Sequence, residues 1–173
     1  MSDRPGFRIR PYREDDLSAI RAMLDGLQEY ECTLEANRAH WADGGGAYAD
    51  WMLEEAGQNA GVVLLAVADN EVWESGPVGL LTCWRAEDAS DITVVPAARV
   101  HLYVSELFVA EAWRGKGVAA ALLAAAESHA RRLGIAQVTI GSLAANAAAR
   151  RAYAKAGFEE YEILLRKRLP PQD

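Results

Sequence analysis

Cysteine is scarce in this chain. Only Cys32 and Cys83 occur among 173 residues; they lie far apart and show neither metal-ligand spacing nor a disulfide framework. Two small reduced residues in a cytosolic protein are the expectation, and no metal is expected. Positive charge is also short, with 25 acids against 18 Lys and Arg and a formal charge of −7. That balance argues against general affinity for nucleic acid or an anionic membrane. No apolar run approaches the roughly 20 residues that span a bilayer. Met1 to Arg10 is polar, without the apolar core of a signal peptide. Internal repeats and low-complexity linkers are missing as well. The expectation is one soluble, cytoplasmic domain over residues 1–173.

What is present suffices for a core, since 51% of residues are hydrophobic. Phe7 to Pro11 predicts a first strand. Asp15 and Asp16 open an amphipathic helix with Leu17, Ile20, Leu24 and Leu27 at helical spacing. Residues 31 to 46 predict a loop ending in Gly44, Gly45 and Gly46, and Tyr48 to Glu55 a second helix. Val62 to Ala68, Val78 to Trp84 and Val100 to Val109 predict strands, with a turn at Asp69-Asn70, a further hairpin turn over Glu71 to Glu74 and a polar connection over 86 to 97. An alanine-rich helix runs from Val118 to Leu133 and stops at Gly134. Ala136 to Ile140 predicts a strand, Asn146 to Ala156 a helix stopped by Gly157, and Phe158 to Arg168 a final strand. Antiparallel neighbours first and a strand–helix–strand unit late indicate an α/β sandwich-like fold with a mixed sheet.

The segment Arg114-Gly115-Lys116-Gly117-Val118-Ala119 joins a strand to a helix N-terminus. Its glycines let backbone approach a ligand, and the free N–H groups of the first helical turn form a positive end. Arg114 and Lys116 add charge, so the segment suits a diphosphate. A P-loop requires Ser or Thr after its Lys, where Gly117 stands. A dinucleotide-binding loop over Gly115, Gly117 and Ala120 requires an acid ending the next strand, and Gln137 to Ile140 carry none. A softened turn without a ligand is the bland alternative.

Leu107-Phe108-Val109, a short spacer and then Arg114, Gly117 and Ala119 resemble the acetyl-CoA signature of the GCN5-related N-acetyltransferase (GNAT) superfamily. Its form is Gln/Arg-x-x-Gly-x-Gly/Ala after a Leu-x-Val-like triplet. Asn146, Tyr153 seven residues on, then Gly157 and Phe158 are similar to the family's second motif. Residues 7 to 17 also look like these enzymes' first strand and helix. The resemblance implies a central, mostly antiparallel mixed sheet with a splayed, bulged strand and flanking helices. It further implies acetyl-CoA as co-substrate and acetyl transfer to a primary amine of a small molecule or peptide. The implied cofactor contacts are Leu107, Phe108, Val109, Arg114, Gly115, Lys116, Gly117, Val118, Ala119, Asn146 and Tyr153. Tyr153 is the implied general acid. A homodimer is a further candidate assembly.

On a helix, Asn146, Arg150 and Tyr153 share a face. A phenol with an ordinary pKa near 10 stays protonated at neutral pH and can protonate a leaving thiolate; packing of Tyr153 and an N-cap role for Asn146 are the alternatives. Glu106 is the most informative acid. Period-2 alternation groups it with Leu102, Val104 and Phe108, and a carboxylate on an apolar face needs a partner or a purpose. It is the candidate general base, or the holder of the amine, with a structural ion pair as the alternative. A β-bulge that re-aims it is one explanation, and the family shows one there. Some polyamine-acetylating members carry the acid one residue earlier, where this chain has Ser105. His101 and Tyr103 are candidates for a water relay. The resemblance implies an acceptor pocket shaped by Gln28 to Asp50, with Glu29, Tyr30, Glu31, Trp41 and Asp43, next to Trp51 and, on its strand, Trp84, an ordinary amphipathic surface being the alternative; His40 and His129 are expected to be isolated. A domain that binds acyl-CoA without catalysis is the rival functional class.

Overall fold

The apolar runs fold as strands because each has a buried face to fill. The computed structural model describes residues 6–69 and 76–169. The strands are β1 (Phe7–Pro11), β2 (Val62–Ala68), β3 (Pro77–Glu87), β4 (Val100–Val109) and β5 (Val138–Ile140). The helices are α1 (Leu17–Leu34), α2 (Gly45–Gln58), the short α3 (Pro96–Arg99), α4 (Val118–Arg132) and α5 (Ala147–Lys155). The sheet follows chain order, β1-β2-β3-β4-β5. The first four strands are antiparallel and β5 joins β4 in parallel. The implied mixed sheet with flanking helices is therefore observed.

Two apolar clusters cover the two faces of this sheet. Leu64, Ala66, Leu81, Cys83, Leu102 and Val104 pack against Val118, Leu122, Leu123 and Ala126 of α4. Val63, Leu65, Leu80 and Trp84 pack against Ile20, Met23 and Leu24 of α1 and Ala49 and Met52 of α2. Alternate residues of β2 and β3 thus serve opposite cores, as a pleated central strand requires.

The start of α1 is fixed electrostatically. Asp16 accepts from Arg10 Nη1 and Nη2 at 2.7 and 2.8 Å and from the Arg13 backbone N–H at 2.7 Å. Both side chains are largely buried, and the Arg10 bond holds the Asp16 carboxyl below its ordinary range. Strand β1 is thereby tied to the helix it precedes.

Three expectations need correction. The loop expected over 31 to 46 is mostly helical: α1 continues to Leu34, and Gly45 and Gly46 open α2. First-turn residues have no intrahelical acceptor for their N–H groups, so glycine disturbs a helix little there. Gly45 is buried against the Trp41 indole, which occupies the space that a side chain at 45 needs. The final strand expected over Phe158 to Arg168 is not formed; that segment carries no regular secondary structure and pairs with none of the five strands. The expected 86 to 97 connection is shortened by β3, which extends to Glu87, and by α3. The expected hairpin turn over Glu71 to Glu74 lies outside the described residues.

Replacing Asp16 with Ala leaves Arg10 without its partner and should lower unfolding free energy by about 3 kcal/mol in denaturant titrations. Because the folded carboxyl has a depressed pKa, the wild-type increment is present above about pH 4 and lost as pH falls through the folded value. Equal acid sensitivity of wild type and Asp16→Ala contradicts this assignment.

Candidate active site

The registers of β4 change partway along its length. Opposite β3, Glu106 pairs with Thr82 while Val104 pairs with Cys83, leaving Ser105 as the extra residue of a bulge. On its other side, β4 pairs with β5 only from Leu102↔Val138 to Val104↔Ile140. Both irregularities fall at one place. Among the described residues, β4 has no strand partner on its β5 side beyond Val104, so the stretch from Ser105 to Val109 is a free edge.

The bulge also exchanges the faces of the strand. Leu102 and Val104 pack on the α4 side and Tyr103 on the α1/α2 side; after Ser105, Leu107 and Val109 face α4 and Phe108 faces α1 and α2. Strict alternation groups Glu106 with Leu102, Val104 and Phe108. The extra residue breaks that set, so Glu106 shares a side with Phe108 and Tyr103 and reaches toward α2. The Phe108 ring packs beside Gly26 of α1.

Glu106 is half-buried, and its carboxylate accepts a short hydrogen bond from Tyr48 Oη at the start of α2. Ser105 Oγ lies 3.5 Å away. Its hydrogen-bonded partners are thus hydroxyls rather than a cation. Burial pushes the Glu106 pKa up to about 7, with the Tyr48 bond acting in the opposite sense. Burial, followed by the Glu106 charge, raises the Tyr48 phenol above its ordinary value. Across the register, Thr82 Oγ1 is buried without a hydrogen-bond partner.

Tyr153 projects from α5 and packs on Phe158, ring centroids 6.0 Å apart. Burial and the Glu106 charge push its pKa up to about 12. Asn146 caps α5, its Oδ1 accepting from the Ala149 N–H at 3.0 Å. Glu106, Tyr153, Tyr48, Tyr103, Glu31 and Glu35 line one groove of about 2320 Å³. Arg150 also lines it and pairs with Glu160.

The glycine loop lies between the free edge and α4. Gly115 and Gly117 have φ of 74° and 85°, a left-handed conformation that favours glycine, and a Cβ at either would meet nothing within 4 Å. The Ala121 N–H is satisfied by the Gly117 carbonyl at 3.0 Å, so the N–H groups of Val118, Ala119 and Ala120 precede the first intrahelical bond. Arg114 Nε donates to the Val109 carbonyl at 3.2 Å, and its guanidinium lies 5.8 Å from the Tyr30 ring centroid. Lys116 sits 5.2 Å from the Trp113 ring centroid.

A model of the acetyltransferase (GNAT) family matches residues 23–158. The chain belongs to the GNAT family. Among curated GNAT relatives, the uncharacterized N-acetyltransferase YycN of Bacillus subtilis (strain 168) is 34% identical over 67 residues. That stretch is 39% of this chain and 43% of YycN, so the chain spans less than half the length of that relative. The structure of AAC(6')-Iy in complex with the bisubstrate analog CoA-S-monomethyl-acetylneamine superposes with a TM-score of 0.66 at 18% identity, covering 95% of this chain and 98% of that one. Aminoglycoside antibiotic 6'-N-acetyltransferase AAC(6')-Ih from Acinetobacter baumannii gives 0.67 at 18% identity over 96% and 100%. A GNAT-family acetyltransferase from Staphylococcus aureus Mu50 gives 0.69 at 15% identity over 90% and 86%. These likenesses bear out the fold.

In this GNAT chain Glu106 and Tyr153 come together in the groove, whereas the loop over 114 to 119 lies outside its lining. Tyr48 is the residue that sequence reasoning missed as a partner of Glu106. The separation of 58 residues left no local signal; Tyr48 stood only as the first residue of a helix. Trp51, Trp84 and Tyr103 continue from it as a run of rings with centroids 5.5 to 5.8 Å apart. His101 is buried, with Nδ1 3.3 Å from the Arg99 carbonyl. The two histidines expected to be isolated are bonded: His40 Nδ1 to Glu29 at 2.8 Å, and His129 Nε2 to the Ala60 carbonyl at 2.8 Å. Glu29 also accepts from the Trp41 N–H at 3.0 Å, which ties the loop after α1 back to that helix. The ligand atoms of Glu29, Cys32 and His40 lie within 4.8 Å of one another, a grouping that sequence spacing did not reveal. No helix among the described residues is long and apolar enough to cross a membrane.

Carbon-13 NMR of the Glu106 side-chain carboxyl should show titration near pH 7 rather than near its ordinary 4.5. The Tyr48 hydroxyl stabilises the ionised form, so Tyr48→Phe should move this midpoint upward. A midpoint near 4.5, or a downward move in the variant, contradicts the arrangement.

Proposed function

We propose that the chain is an acetyl-CoA-dependent N-acetyltransferase acting on a primary amine of a small molecule or peptide. The observation that carries this reading is the free edge of β4 beyond Val104, with Glu106 set at the bulge where that edge begins. An extended cofactor arm can pair with such an edge as a strand does.

The residues fit the co-substrate along its length. The open, left-handed turn at Gly115 and Gly117 leads into the free N–H groups of Val118, Ala119 and Ala120, which with Arg114 and Lys116 hold a diphosphate. The backbone of Leu107, Phe108 and Val109 holds the arm. Asn146 fixes the start of α5 and leaves its amide N–H groups to donate toward the cofactor.

Acetyl-CoA supplies the activated thioester. Glu106, with a pKa near 7, takes the proton that an alkylammonium must lose before attack. A backbone N–H of the free edge stabilises charge developing on the carbonyl oxygen. Tyr153 remains a phenol at neutral pH and delivers a proton to the departing sulfur. The mechanism calls for no metal. Cys83 is no acyl carrier, since burial pushes its thiol up to about 11. The unpaired cysteines fit a reducing, cytoplasmic setting. Tyr48 and Tyr103 along the groove offer ring faces to a cationic acceptor, and Glu106 adds charge when ionised; Glu35 is taken up by Arg166 and Arg168 and Glu31 by Arg38. Two of the superposed structures are named for AAC(6') enzymes, which puts aminoglycosides in the first panel of amines.

A thiol-release assay with acetyl-CoA and aminoglycosides, polyamines, amino acids and peptides should detect turnover on at least one amine. Tyr153→Phe should lower kcat by about 10²- to 10⁴-fold with little change in acetyl-CoA affinity. For wild type, kcat/KM should rise with pH through a step near 7, because the base acts ionised, and Glu106→Gln should abolish that step. Tight cofactor binding with no turnover on any amine favours the rival acyl-CoA-binding domain.

A further inference from the structure

Outside the groove, three side chains able to ligate a metal come together. Glu29 and Cys32 stand three residues apart on α1 and so share a helix face. His40 precedes the single 3-10 turn over Trp41–Asp43, and the chain between folds back over that face. The ligand atoms of Glu29, Cys32 and His40 all lie within 4.8 Å of one another. None of the three lines the groove that Glu106 and Tyr153 share.

The fold-back is held by other contacts. The Trp41 N–H donates to Glu29 Oε1 at 3.0 Å, Gln28 Nε2 donates to the Ala39 carbonyl at 2.6 Å, and Arg38 Nε lies 3.3 Å from Glu31. Glu29 therefore gives one oxygen to the backbone, while Oε2 faces His40 Nδ1 at 2.8 Å. An ion pair accounts for that contact but not for the half-buried thiol beside it. Cys32 Sγ makes long contacts to the Arg38 and Ala39 carbonyls, at 3.7 and 3.4 Å, and a thiol is a weak donor.

We propose that Glu29 Oε2, Cys32 Sγ and His40 Nδ1 bind a divalent cation of the zinc class, with water at a fourth position. Thiolate, imidazole and carboxylate are donors that suit this ion in tetrahedral geometry. Bonds of about 2.0 to 2.3 Å set such donors roughly 3.3 to 3.6 Å apart, so the three groups need to close by about an ångström. The side chains of His40 and Glu29 are 64% and 46% exposed, which leaves them room to do so. Carboxylate and thiolate together offset the charge of the ion, and the imidazole binds neutral. On binding, the thiol proton goes to solvent and the ring coordinates through Nδ1 with its proton on Nε2; nothing is oxidised or reduced. The Ala39 carbonyl keeps its Gln28 donor when the thiol proton leaves. The Trp41 N–H continues to orient the ligating carboxylate from its other oxygen. The ion then clips the end of α1 to the turn leading into α2, the helix that carries Tyr48.

Cobalt(II) titration of the reduced, untagged full chain tests the site. It should give a thiolate-to-cobalt charge-transfer band and tetrahedral d–d bands that saturate at one equivalent and vanish when zinc is added. Cys32→Ser should lose the charge-transfer band and His40→Ala the saturable binding, while Cys83→Ala should keep both, because Cys83 is fully buried. Zinc should raise the Tm of the wild type and leave that of Cys32→Ser unmoved. Zinc K-edge absorption of the wild type covers failure of either variant to fold, and should show one sulfur among nitrogen and oxygen donors. No saturable band in the wild type, an undiminished band in Cys32→Ser, or a zinc shell of nitrogen and oxygen alone overturns the inference. None of these readouts depends on acyl transfer.

Discussion

Inserting Ser105 between two otherwise regular pairings of β4 with β3 does three things that a regular strand cannot do together. It turns Glu106 from the α4 side toward α2, it swaps the packing sides of Leu107 and Phe108, and it marks where β4 parts from β5. Each follows from the strand period of two, since one extra residue inverts every side chain after it. The opposed cores make the bulge tolerable. Leu80 and Leu81 of β3 stay fully buried on opposite sides, so the sheet holds its place while its neighbour deviates.

The electrostatics of the groove follow from that re-aiming. A carboxylate placed where water is scarce is destabilised in its charged form, and a single hydroxyl donor recovers part of the difference. The result is an acid poised near neutrality, supported by a phenol from an element that meets β4 only in the folded state. Tyr153 is raised by the same burial and by the Glu106 charge itself. Two titratable groups in one groove are thus pushed to values that suit opposite proton-transfer tasks.

Much of this was legible in the sequence where chemistry is local. The β4, glycine loop and α4 succession rests on neighbouring residues, as does the helix read over Asn146 to Ala156, which forms from Ala147 to Lys155 with Asn146 and Ala156 as its caps. Glu106 stood out because an acid on an apolar strand is costly, which holds whichever way it points. Its re-aiming by a bulge was legible as one explanation and through the resemblance, and the register shift at Ser105 matches it; strict alternation by itself cannot register an inserted residue. The Tyr48 contact was not legible, since two distant elements create it. The run of three glycines misled for a physical reason: flexibility suggests a loop, yet the first turn of a helix tolerates glycine, and Trp41 requires it at position 45. The expected final strand had a strand's alternation but joins none of the five strands, and β-structure is a property of pairs.

The central claim is that the edge of β4 beyond the bulge, together with the first turn of α4, forms one continuous main-chain surface for an acyl carrier. Amide nitrogen–proton NMR during titration with CoA tests it most directly. The account predicts that the largest shifts fall on Leu107, Val109, Gly117 and Val118 to Ala120, saturating together with one affinity. Saturable shifts confined to other segments, or no shift at these amides as CoA is added, would contradict it.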